Sequence, residues 1–167
     1  MKKIMYAMMF VVIFITMNSC SADNAEATEE TTTSQTLITN YTYNDSEIET
    51  MKLINDYRIS IGLNALEKIN HVSFKCQEHN NYMIANNVVD HNDFTARSNN
   101  IMSVLSAKKV GENVAYNYKT SEAAVKAWLD SPGHKENIEG DYTHFGLSVT
   151  TDTKTGKKYY TNIFVKI

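Results

Sequence analysis

The apolar period of this chain changes once, and that change limits the folds open to it. From Ile48 to Trp128, apolar residues return every three or four positions within successive segments, the mark of helices with one buried face; from Phe145 onward they alternate. Helices first and strands last is the order of an α+β domain rather than of an alternating α/β one. Ile48, Met51, Ile54, Tyr57 and Ile61 outline a first helix, opened by a capping box of Ser46 and Glu49 and stopped at Gly62. A second helix runs over 70–86, with Val72, Cys76, His79 and Met83 on one side. Asn86-Asn87 breaks it, residues 88–94 form a loop holding His91, and a shorter helix follows over 98–106. Thr120 or Ser121 caps another helix whose inward face is Ala124, Val125, Ala127, Trp128 and Leu129. Ser131-Pro132-Gly133 ends it, and Pro132 is placed to open a short turn holding His134. Phe145, Leu147 and Val149 read as a strand, Gly156 as a turn, and 158–167 as the partner strand. Two strands alone are only marginally stable, so a third is expected near 112–116.

The N-terminal segment bears on where such a domain works. Lys2 and Lys3 precede an apolar run over 4–15 that is shorter than the roughly 20 residues a membrane-spanning helix needs. The run closes at Ser19-Cys20, which reads as a lipoprotein signal over 1–19 with Cys20 as the lipidated first residue; a plain signal with an incidental cysteine is the other reading. Either form takes the chain out of the cytoplasm. Residues 20–43 then read as a lipidated cysteine and a disordered acidic, Ser/Thr-rich tether, and 44–167 as one domain of ordinary size. With Cys20 carrying lipid, Cys76 has no partner, so the domain must be held by its core without disulfides. Of 16 basic and 19 acidic side chains, two lysines lie in the signal, so the exported part is the more acidic. No basic stripe is visible, and nucleic acid is not an expected partner. The chain is expected as a monomer, joined to a membrane through Cys20.

Several patches recur in an order that identifies a family. They are Leu53-Ile54-Asn55-Asp56-Tyr57-Arg58, His79 and His91, Gly111-Glu112-Asn113-Val114-Ala115, the run from Ala127-Trp128 through Ser131-Pro132-Gly133-His134 to Ile138, Phe145-Gly146-Leu147, and Tyr160-Thr161-Asn162-Ile163-Phe164. Together they resemble the CAP superfamily of cysteine-rich secretory, venom-allergen and pathogenesis-related proteins, in its bacterial, disulfide-free branch. The resemblance implies an α-β-α sandwich with a groove lined by two histidines and acidic residues. Carried over, these are His91, His134 and Glu112 as catalytic or metal-holding groups, with Glu112 a direct or indirect ligand. Many relatives have a second glutamate before the Gly-His; here Ser131 stands there, with Asp130 beside it, and Asn113 follows Glu112.

The chemistry of these residue types leaves several functions open. Two imidazoles and a carboxylate in one cleft can hold a divalent metal, zinc above all, with positions left for water. Such a centre can support hydrolysis of envelope peptide, and the same trio can serve metal-free as an acid–base pair. Alternatively it is a hydrogen-bonded network that only organises the fold. The incomplete set of carboxylates and the lack of a nucleophile motif around Ser131 count against an enzyme. The remaining expectation is an envelope lipoprotein binding an extracellular lipid, glycan or peptide. His79 is expected in the core, and His71 and His144 toward solvent.

Overall fold

The computed structural model describes residues 36–167. The signal over 1–19, Cys20 and most of the tether lie outside the described residues. The described elements are α1 (Asp45–Ser60), β1 (Glu67–Lys68), α2 (Asn70–Asn86), α3 (Phe94–Leu105), β2 (Lys109–Tyr116), α4 (Ser121–Asp130), α5 (Pro132–Glu139), β3 (His144–Thr151) and β4 (Lys158–Lys166). The strands form one mixed sheet in the order β1-β3-β4-β2, with β1 parallel to β3 and the other pairs antiparallel. The fold is α+β, as the period change requires. No helix among the described residues is long and apolar enough to cross a membrane.

Alternation along the strands sorts the core into two layers. Phe145, Leu147, Val149, Tyr160 and Phe164 face α1, α4 and α5, packing with Met51, Ile54, Ala124, Trp128 and Ile138. Ile163 and Val165 face the other way, onto Val72 and Cys76 of α2 and Ile101 of α3. Because helices cover both faces, β4 is buried almost continuously although its side chains alternate in direction. Cys76 is a free, buried thiol whose Sγ donates to the Gly146 carbonyl at 3.4 Å.

Four local expectations are corrected. The capping box of α1 uses Asn44 and Glu47, two positions before the Ser46/Glu49 pair: Asn44 Oδ1 accepts from Glu47 N at 3.0 Å, and Glu47 Oε2 accepts from Asn44 N at 2.9 Å. Asn caps as well as Ser, and Glu47 gains a further bond from Val149 N. Ile48 and Ile61 are exposed, at 53% and 45%, while Thr50 and Arg58 take inner positions on α1. Apolar spacing could not register a buried face partly made of polar groups. His71 is buried rather than solvent-facing, and His144 is half-buried. The helix α3 also starts four residues earlier than its apolar pattern indicated.

The free edge of β2 is occupied by side chains from the helices beside it. Trp128 Nε1 donates to the Val114 carbonyl at 3.0 Å, and Asn137 Nδ2 donates to the Glu112 carbonyl at 3.1 Å.

Residues 37–43, counted with the tether, lie along the domain as an extended strap. Ile38 N donates to His71 Nδ1 at 3.1 Å, and Asn70 Nδ2 donates to the Thr39 carbonyl at 2.6 Å. The Tyr41 hydroxyl reaches Glu47 and Ser148, and that of Tyr43 reaches Asn70 and Ser73. Accepting at Nδ1 means that His71 is neutral with its proton on Nε2, which faces Asn100 Oδ1 at 2.8 Å. Burial, opposed by the Asn100 bond, holds His71 below its ordinary 6.5; Lys75 adds to the lowering and Glu78 resists it. The unfolded chain takes up the proton first as pH falls through 6.5, so this contribution is complete above that value and fades below it. Acidification from pH 7 to 5 should therefore speed hydrogen exchange at the Ile38 amide more than at amides within α2. Equal protection of Ile38 at both pH values, after correction for intrinsic exchange, would contradict this.

Candidate functional site

The site is assembled at the β2 edge from a loop, a strand and a helix start. Glu112 stands on β2 with its side chain almost wholly buried, and His91 reaches it from the loop between α2 and α3. His91 Nδ1 lies 2.8 Å from Glu112 Oε1. Arg97, from the first turn of α3, grips the same carboxylate through Nε to Oε2 at 3.0 Å and through its terminal nitrogen to Oε1 at 2.9 Å. A carboxylate held on both oxygens by a guanidinium is fixed in place and compensated in charge. Arg97 also donates to the Asn92 carbonyl at 2.6 Å, while His79 Nε2 lies 2.9 Å from the Asp90 carbonyl. The backbone is thus pinned on each side of His91. His79 is in the core as expected, but its buried Nδ1 lacks a partner among the described residues.

His134 belongs to the first turn of α5, whose start is set by Pro132. Its Nδ1 is 2.8 Å from Ser131 Oγ, and its carbonyl accepts from Asn113 Nδ2 at 2.9 Å. Asn113 is fully buried and accepts in turn from Asn137 Nδ2 at 2.9 Å, so β2 and α5 are tied directly through the amides. Close approach here depends on Gly111, where a Cβ would fall 2.5 Å from the Tyr142 hydroxyl. At Gly133 a Cβ would meet nothing within 4 Å, so no close packing depends on it. Asp130 is exposed and pairs with Lys126 at 2.6 Å, outside the network.

The two imidazoles are shifted in opposite directions from the ordinary histidine value. The hydrogen bond from Glu112 raises His91, against partial desolvation and the Arg97 charge. Partial burial lowers His134, and the charge of His91 lowers it further. Beside His134 lies a cleft of about 310 Å³ walled by Val89, Val114, Tyr118, Ala127 and Trp128, with Ser131 next to the ring. Among the described residues, no three His, Cys, Asp or Glu side chains are grouped as a metal site. Both Nε2 atoms lack a protein partner among the described residues, because Nδ1 of each ring carries the internal bond. Glu112, bonded to His91 Nδ1 and gripped by Arg97, stands behind the His91 ring rather than beside its Nε2.

Sequence reasoning missed Arg97, Asn137 and Tyr118. Arg97 left one trace, as the only charged residue between Asp93 and Lys108.

A model of the CAP family, the cysteine-rich secretory protein family, matches residues 51–165, and the chain belongs to that family. The uncharacterized membrane protein YlbC of Bacillus subtilis (strain 168) is 33% identical over 127 residues, covering 72% of this chain and 34% of that protein. The uncharacterized protein YkwD of the same organism is 33% identical over 127 residues, covering 74% of this chain and 48% of that protein. The chain thus spans less than half the length of these relatives. Among solved structures, an outer surface protein from Borrelia burgdorferi superposes with a TM-score of 0.65 at 21% identity, covering 77% of this chain and 98% of that one. An extracellular SCP-domain protein from Bacillus anthracis gives a TM-score of 0.63 at 24% identity, covering 73% of this chain and 40% of that one. These structures share the fold.

Proposed function

We propose that this is an exported CAP-domain protein, held at the cell envelope by lipid on Cys20, whose cleft beside His134 binds an extracellular ligand. The observation that carries the reading is the cleft itself: aliphatic and aromatic walls with an imidazole and a hydroxyl among them. A few polar groups in an otherwise apolar cavity are the usual make-up of a small-ligand site. The short apolar signal ending at Cys20 supports export, and the outer-surface and extracellular character of similar solved proteins agrees with it.

A divalent cation is a second reading of the same site, favoured by the two unpartnered Nε2 atoms. His91 and His134 would hold the ion, Glu112 would orient His91, and the ion would supply Lewis acidity toward a ligand oxygen. Trp128 is the only tryptophan and lines the cleft, so its fluorescence reports occupancy. Titration with envelope lipid and glycan fractions should change it saturably, and Ala127→Arg, which fills the cleft, should abolish the change. Calorimetry with zinc in the same samples, with His91→Ala as control, separates the cation reading. A saturable signal that survives Ala127→Arg would sink the cleft as the binding surface.

A further inference from the structure

A second cavity adjoins the cleft and differs from it in charge. Its volume is about 380 Å³, and its walls include Asn117, Tyr118, Lys119, Lys157 and Lys158. Tyr118 lines both cavities. Its position is fixed, because Tyr160 Oη donates to its carbonyl at 2.9 Å and its ring packs on the core. Tyr116 belongs to the cleft, and the Lys157 ammonium sits 5.5 Å from the centre of its ring. The two cavities therefore have Tyr118 as a common wall residue.

The lysines of the second cavity have no carboxylate partner among the described residues. Elsewhere on the domain, Lys52, Lys126 and Lys166 pair with Asp56, Asp130 and Asp141. Lys158 Nζ instead donates to Ser46 Oγ at 3.2 Å and to the Lys119 carbonyl at 3.3 Å, two neutral oxygens. The nearby acid Asp152 is committed to its own turn, accepting from Lys154 N and from the Thr155 hydroxyl. Three ammonium groups around one concavity repel each other and focus a positive potential into it. Lysine is a point charge without a preferred fork geometry, so phosphate and carboxylate are equally suited.

We infer that the ligand of the cleft is an elongated anion, its acidic head among Lys119, Lys157 and Lys158 and its apolar body passing Tyr118 toward Trp128 and His134. This rests on the cleft being a binding site. It narrows the ligand to an acidic head on an apolar body.

The test titrates the full chain with decyl phosphate, decanol and inorganic phosphate, following Trp128 fluorescence and backbone amide shifts. Decyl phosphate should saturate and move amides of both 117–119 and 127–134. Decanol should bind roughly tenfold more weakly, from the loss of a charge-assisted contact. Lys119→Gln with Lys157→Gln, both at exposed positions, should weaken decyl phosphate about tenfold and leave decanol unchanged. Decanol binding as tightly as decyl phosphate, or an unaffected double variant, would overturn the inference while leaving the cleft a binding site. Shifts confined to 117–119 and 155–158 with every anion would overturn it too, and would count against the cleft itself.

Discussion

Replacing Arg58 with methionine should destabilise the domain by about 4 kcal/mol, the range of mutations that strand buried polar groups. Arg58 is completely buried and forms no ion pair among the described residues. Its guanidinium is instead surrounded by carbonyls: Asn64 O at 2.9 Å, Ile138 O at 2.6 Å, Gly140 O at 3.0 Å and Tyr142 O at 3.4 Å. It therefore joins the end of α1 to the end of α5 and to the segment leading into β3. Burial lowers its basicity, and Asp141 counteracts this. Methionine fits the volume but leaves the Asn64 and Ile138 carbonyls without the donors that Arg58 supplies, and lysine cannot reproduce the planar array of five N–H groups. Thermal unfolding should show a loss on the order of 15 °C for either substitution. A loss of only a few degrees in Arg58→Lys would mean that the charge matters and the fork does not.

Gly146→Ala should cost about 3 kcal/mol, through steric overpacking rather than lost bonds. A Cβ there would lie 2.4 Å from Ser73 N and 2.5 Å from the Val72 carbonyl carbon, both of them backbone atoms of α2. No rotamer change relieves such a contact; the helix must lift from the sheet. Lifting would stretch the bond from Leu147 N to Ser73 Oγ, now 3.1 Å, and the bond from Asn80 Nδ2 to the Ser148 carbonyl, now 2.9 Å. A drop in melting temperature of roughly 10 °C is expected. Gly133→Ala is the matched control: its Cβ meets nothing within 4 Å, and alanine is favoured in a helix, so its stability should hold or rise slightly. Equal losses in the two variants would dismiss the packing argument.

These residues also mark what could be read from the sequence. The helices and the C-terminal hairpin were legible because apolar period is a local property, and α2 was placed with its ends. The parallel pairing of β1 was not, since a two-residue strand has no period. The inward side of α1 was misread because Arg58 is buried through partners up to 84 positions away, as for Tyr142, and because Thr50 turns its hydroxyl back onto the Ser46 carbonyl. The same limit applied to the site. Gly111-Glu112-Asn113 and Ser131-Pro132-Gly133-His134 announce themselves as motifs. Arg97 does not, because its meaning comes from Glu112, on a strand that only the fold brings alongside. His71 was placed outside because nothing local signals that residue 38 will return to it.

The helices beside β2 have a bearing on polymerisation. A sheet edge grows by offering carbonyls to the amides of an incoming strand, and edge-to-edge growth of that kind underlies fibre formation. On β2 the Glu112 and Val114 carbonyls already accept from Asn137 and Trp128. An approaching chain would have to displace a buried indole and an amide before its first rung could form. At the opposite margin, β1 presents only two residues, Glu67 and Lys68, both exposed and oppositely charged. The bonds along the free edge of β2 thus also stand in the way of a neighbouring copy adding to the sheet.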